Sequence, residues 1–231
     1  MNATQILIPA FENGDVLTRA EFERRYQLMP EHQKAELIEG QVYMAAAAVR
    51  AIHHGRPHSL IMGWLMTYEF STPGVMVLDN TTVRLDLDNE PQPDALLRIE
   101  ESCGGQSRVS EDDYIEGAPE LIVEIAGSSA SYDLHHKLQV YRRNGVREYL
   151  VWVVQEREFR WHLLEEGQYR LQQPNSSGVL ESPFFPGLRL DATALLAGEM
   201  QQVLAVLQQG LSSPEHQDFV ARLEEIKAGE G

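Results

Sequence analysis

The stretch from Glu120 to Val153, ELIVEIAGSSASYDLHHKLQVYRRNGVREYLVWV, constrains this chain more than any other. Apart from its two glutamates, the segment Glu120–Ala126 is apolar on both faces of an extended backbone. It therefore reads as a strand buried on both sides, not as one with a wet face. Gly127-Ser128-Ser129 makes a turn. A helix from about Tyr132 to Arg143 follows and is stopped by Asn144-Gly145. A second apolar strand spans Glu148–Val154.

Glu124 lies inside the first strand, where a lone carboxylate is costly to desolvate unless a cation or donors meet it. At about 100° per residue, the helix gathers Leu134, Leu138 and Tyr141 on one face, with Val140 at its edge. His135, His136, Gln139, Arg142 and Arg143 take the other side. Lys137 falls between Val140 and Tyr141, on the inward arc, so its ammonium and the Glu124 carboxylate can point to one place. The spacing admits equally an ion pair with Asp133, one helical turn earlier.

The formal net charge of −16 argues against a broad basic surface for nucleic acid or anionic membrane. It leaves room for a local site whose carboxylates hold divalent cations. The single cysteine, Cys103, excludes an internal disulfide and a cysteine-cluster metal site. No apolar run is long enough to span a membrane. No basic-then-apolar leader is apparent, so the expected location is cytoplasmic.

Residues 1–17 read as an extended lead-in. Thr18 caps a short helix to about Gln27, with Glu21 as its reciprocal partner. Leu37–Tyr43 predicts two short strands around a Glu39-Gly40 turn, with Glu36 and Glu39 as solvated positions. His54 and His58 have the spacing of a zinc-binding helical pair. Pro57, however, is expected to open a helix running from His58 to Phe70, which would detach His54. Val75–Leu78 and Thr81–Leu87 read as strands. Asp86, Asp88, Asn89 and Glu90 read as a solvated acidic loop without the spacing of a calcium loop. Pro93-Asp94 then enters a short apolar strand, Ala95–Ile99. Carboxylates on adjacent strands, such as Asp94 and Glu124, can hold a hard divalent metal, and a nearby lysine can stabilise negative charge on a phosphate.

Pro93-Asp94, a strand bearing Glu124 and a helix bearing Lys137 follow the order of the PD-(D/E)XK nucleases. More closely, the chain resembles the Uma2 family of restriction-endonuclease-like proteins. The resemblance is carried by ELIEGQVYM (36–44), HGRPHSLIMGWL (54–65), QPDALLRI (92–99), residues 114–152 and FFPGLRLD (184–191). It implies Asp94 and Glu124 as carboxylates for Mg²⁺ or Mn²⁺ and Lys137 as the catalytic lysine, with Glu39 and His58 as candidate additional residues. Two departures stand out. The lysine expected two residues after Glu124 is replaced by Ala126, and Lys137 on the following helix fits that role. Ala45–Ala48 occupies a place where relatives often carry a proline-containing turn.

The resemblance implies an α/β (α+β) restriction-endonuclease-like fold: a mixed central sheet flanked by helices, a right-handed parallel crossover, and C-terminal helices. The expected organisation is a lead-in with a short helix (1–33), a nuclease domain (34–191) and a C-terminal helical extension (192–231). An added hairpin is expected at Phe159–Leu164 and Tyr169–Gln172, and C-terminal helices at Leu195–Leu207 and Glu215–Ile226. These helices either pack on the domain, the favoured arrangement, or form a homodimer contact. The implied activity is metal-dependent endonucleolytic hydrolysis of nucleic acid, DNA in the first instance. Alanine at Asp94, Glu124 or Lys137 is then expected to abolish cleavage with the fold intact. Two other readings are a catalytically inactive nuclease-fold binding or regulatory protein, and, more weakly, a zinc hydrolase using His54 and His58.

Overall fold

A computed structural model describes residues 9–30, 33–44, 49–127 and 132–229. The first part of the expected lead-in, the Ala45–Ala48 run and Ser128-Ser129 of the expected turn lie outside the described residues. Helix α1 is Arg19–Tyr26, and the Thr18 hydroxyl oxygen accepts from the Glu21 amide at 3.3 Å. The Glu21 carboxylate does not make the expected reciprocal cap but takes Arg24 and Arg25. Strands β1, Ala35–Ile38, and β2, Gln41–Met44, pair antiparallel. Glu39 and Gly40 between them have φ of 52° and 73°, as a two-residue hairpin turn of this hand requires.

The next helix corrects an expectation. A π-helical turn, Ala51–Gly55, runs directly into α2, Arg56–Glu69. Pro57 therefore does not detach His54, whose ring stacks on His58 with centroids 5.8 Å apart. Pro57 itself sits in the first turn of α2, where a missing N–H is tolerated, and the π turn carries the helical path back beyond it.

The remaining principal elements are β3 Val75–Asp79, β4 Ala95–Ile99, β5 Leu121–Ala126, a π turn Asp133–Lys137 leading into α3 Leu138–Arg143, β6 Glu148–Val153, β7 Glu158–Glu165 and β8 Gln168–Leu171. They form a mixed six-stranded sheet in the order β8-β7-β6-β5-β4-β3. Its β5–β6 pair is parallel, and the other neighbours are antiparallel. The expected Thr81–Leu87 strand shrinks to Val83–Arg84, which pairs with Ile115–Glu116 in a separate small sheet. The chain turns away after it because the Leu85 amide bonds to the Asn89 carbonyl at 3.0 Å. The expected Leu195–Leu207 helix is two, α4 Ala192–Ala197 and α5 Met200–Leu211, because Gly198 at φ 76° ends the first. The last helix, α6, is Pro214–Gly229.

Strand periodicity divides β5 between two cores. Leu121, Val123 and Ile125 pack with Trp64 and Leu65 of α2, Leu207 of α5 and Phe219 of α6. Ile122 and Ala126 pack on the opposite face with Tyr141, Tyr149 and Val151. Glu124 lies between Ile122 and Ala126 in this alternation, so its side chain is directed to the face that α3 covers.

Candidate functional site

The β5 alternation and the helix spacing bring Glu124 and the segment from Lys137 to Tyr141 together. Lys137 and Tyr141 are one turn apart and share a face. Lys137 Nζ donates to Glu124 Oε1 at 2.9 Å, and the Tyr141 hydroxyl donates to the same oxygen at 2.9 Å. Both Glu124 and Lys137 are only 4% exposed. The ammonium also donates to Glu36 Oε1 at 2.8 Å. That same oxygen accepts from the Gln92 amide at 2.6 Å, two residues before Asp94. Glu36 is thus not the solvated position expected from its strand, and Lys137 joins β1, β5 and α3.

Asp94 precedes β4 and lies one step beyond the Ala95–Val123 pair, beside Glu124 on the neighbouring strand. Its Oδ2 accepts from the Ile125 amide at 2.7 Å. Its Oδ1 is 3.3 Å from His54 Nε2, and the side chain remains 15% exposed. His58 Nε2 donates to the Asp94 carbonyl oxygen at 2.9 Å and lies 3.0 Å from Asp79 Oδ1. His58 therefore holds the Pro93-Asp94 backbone. Glu39 is placed on the hairpin turn, where it pairs with Arg143 at 2.8 Å and is 44% exposed.

This side-chain cluster has more negative than positive charge. Burial pushes the Glu124 carboxyl well above the usual carboxylate range. Lys137 opposes that rise, while Asp94, Asp133 and Glu36 add to it. Burial disfavours the Lys137 ammonium, yet Glu124, Glu36 and Asp133 outweigh it and raise its pKa. Lys137 thus stays charged, and the carboxylates around it compete for a single ammonium. Further positive charge would relieve that repulsion.

Among the described residues, no group of three or more His, Cys, Asp or Glu side chains is arranged to hold a metal ion. Asp94 and Glu124, on neighbouring strands, offer carboxylate oxygens, the donor type that a hard cation such as Mg²⁺ takes one or two at a time while water and phosphate complete its shell.

Two site residues escaped the sequence reading in different ways. Helix spacing turns Tyr141 inward as an apolar residue and says nothing of the acceptor its hydroxyl meets. Glu36 looked solvated because Leu37 and Val42 take the buried face of the hairpin. A signal was nonetheless present: the cross-strand partner of Glu36 is Tyr43, an aromatic on a face read as wet.

The mixed six-stranded sheet with helices on both faces is a nuclease-like fold. The chain belongs to the Uma2 family, described as "putative restriction endonuclease", which it matches over residues 19–193. A crystal structure of a putative nuclease belonging to DUF820 from Anabaena variabilis ATCC 29413 is similar in fold. It superposes with a TM-score of 0.56 at 14% identity, covering 83% of this chain and 99% of that one. No curated protein matches the chain. Among the described residues, no helix is long and apolar enough to cross a membrane.

Proposed function

We propose that this protein is a Mg²⁺- or Mn²⁺-dependent endonuclease that hydrolyses phosphodiester bonds, with DNA the first substrate to test. The observation that carries this reading is the Lys137 ammonium held between Glu124 and Glu36 beside Asp94. Asp94 and Glu124 would hold the metal, which when bound supplies Lewis acidity and a water of lowered pKa. Lys137 offsets charge that develops on the phosphate oxygens and orients the attacking water. Glu36 keeps Lys137 protonated and directed inward. Tyr141 fixes Glu124 Oε1, leaving the second oxygen of that carboxylate for other partners. His58 positions the backbone of Asp94, and His54 orients its side chain. Glu39, engaged by Arg143 on the rim, has no part in this arrangement.

The test is cleavage of plasmid and oligonucleotide substrates with Mg²⁺, Mn²⁺ or EDTA. Asp94→Asn and Glu124→Gln are expected to abolish metal-dependent cutting while their circular dichroism stays that of the parent. Undiminished cleavage by the Asp94→Asn/Glu124→Gln protein would refute the assignment. A chain that binds nucleic acid and leaves it uncut under every metal would be the inactive nuclease-fold binding protein instead.

A further inference from the structure

An aromatic ladder stands beside the proposed centre. The rings of Tyr43 and Tyr132 lie 4.4 Å apart, and those of Tyr132 and His136 are stacked at 5.8 Å. Lys137 Nζ lies 5.8 Å from the Tyr132 ring centroid. The ladder is tied to the site by construction. Tyr43 is the cross-strand partner of Glu36, and cross-strand partners project to one face. Tyr132 and His136 are one turn apart on the segment that delivers Lys137. The three rings and the ammonium therefore share one end of the site.

A seam that only fastened the hairpin to the helix would need apolar surface alone. Two features go beyond that. The Tyr132 hydroxyl is buried without a hydrogen-bond partner among the described residues, an arrangement that folded proteins avoid. The outermost ring, His136, is 57% exposed, with its Nδ1 4.0 Å from Glu39 Oε2. An exposed aromatic face next to a phosphate-directed lysine is how proteins grip unpaired nucleotides: a base stacks while its backbone lies alongside.

We propose that the Tyr43–Tyr132–His136 ladder stacks an unpaired base next to the scissile phosphate, so that the substrate class is single-stranded or locally unpaired nucleic acid. This rests on the nuclease reading above and specifies its substrate. Stacking is uncharged and every base has a π-face, so this grip works on a chain of net charge −16, where a broad phosphate-binding surface would not.

The test uses the full chain in EDTA, where metal-dependent hydrolysis is absent. Single strands of DNA and of RNA carrying one 2-aminopurine, and the DNA strand annealed to its complement, are titrated by fluorescence anisotropy and by 2-aminopurine quenching. Either single strand is expected to bind at least about tenfold more tightly than the duplex, with quenching of the stacked probe. His136→Ala is expected to weaken single-strand binding by about tenfold and to lose the quench. His136→Phe should restore both. Since His136 is exposed, its melting temperature is a control, and a merely structural ring would not move the quench. Equal or tighter duplex binding, or His136→Ala with parental affinity and quenching, overturns the proposal and leaves the nuclease reading standing. Failure to bind any nucleic acid in EDTA overturns the proposal, and the nuclease reading is then decided by the cleavage assay with Mg²⁺ or Mn²⁺.

Discussion

Replacing Lys137 by Met should be costly to stability, and the structure sets the size. Lys137 and Glu124 are each only 4% exposed. Removing the ammonium leaves the Tyr141 hydroxyl as the remaining side-chain donor seen on Glu124 Oε1. Breaking a buried pair by deleting one partner costs about 3–5 kcal/mol. For a chain of this length each kcal/mol shifts the melting point by about 2–4 °C, so a fall of roughly 6–20 °C is expected. An alanine at this position should likewise lower stability, so its loss of cleavage has to be read at a temperature where the variant remains folded. Glu124→Gln should cost less, because Glu36 still holds the ammonium at 2.8 Å. In the double variant neither charge is stranded by the other's loss, so the two costs should not add. A favourable coupling of about 2–3 kcal/mol is expected, at the upper end of what contacting residues show. Urea unfolding of the four proteins in EDTA measures it. Lys137→Met within about 0.5 kcal/mol of the parent, the usual scale for a surface change, would refute the argument. So would strictly additive single costs.

Other expectations follow from separate parts of the fold. Burial pushes the Glu148 carboxyl up to about 7 from 4.5, against the donors Ser182, Phe184 N–H and Trp161. Because the folded value is the higher one, its stabilising contribution is full below the unfolded pKa and is lost as pH rises through the folded one. The loss is on the order of 3 kcal/mol. Melting should accordingly be higher near about pH 5 than about pH 8 on this account, and Glu148→Gln should flatten that difference. Gly210→Ala would drive a methyl into the Gly187 backbone where α5 approaches it. It should cost at least about 1–3 kcal/mol of stability, as overpacking does, read by urea unfolding. If Asp94 and Glu124 hold Mn²⁺, saturating the protein at about a hundred times Kd should add about 2.7 kcal/mol to its stability. That gain should vanish in Asp94→Asn/Glu124→Gln, and an equal gain in both proteins would place the ion elsewhere.

The strand–helix–strand unit was legible because its period and its stops are local. The same local logic put Lys137 on the inward arc beside Tyr141. Asp94 was legible through its Pro-Asp entry to a strand and through family resemblance. Glu36 was not, because its partner Lys137 is 101 residues away and a short hairpin strand reads as having a wet face. His54 was lost to the opposite error: Pro57 is a reliable stop for an α-helix, but the preceding turn is π. The Glu90 carboxyl was expected in a solvated loop, yet it is 3% exposed. Burial, then Glu23, push it up to about 8. A loop's composition does not reveal that its backbone will pair with Leu37 and be covered by the N-terminal segment.

The charge of −16 and a nucleic-acid substrate are reconciled if the metal that Asp94 and Glu124 would hold offsets the acids of the centre and the remaining acids lie away from it. Net charge is a sum over the molecule, whereas a phosphate responds to charges within about 8 Å at physiological salt. From Gly40 to Tyr68 the sequence contains no Asp or Glu but does contain Arg50, His53, His54, Arg56 and His58. Arg50 and Arg56, both exposed, bracket the π turn that brings His54 to Asp94. Many acids elsewhere are engaged internally: Glu120 accepts the Ile99 and Gln106 amides, and Asp112 and Glu116 take Arg84 and Arg108. Binding should therefore depend on few phosphates. If Arg50 and Arg56 are the two that matter, log K against log salt should have a slope of about −1.4 for a single strand. Arg50→Gln should reduce it by about half. A slope of about −4 or steeper would demand about six neutralised phosphates. Two arginines could not supply that number, and the local account of binding would fail.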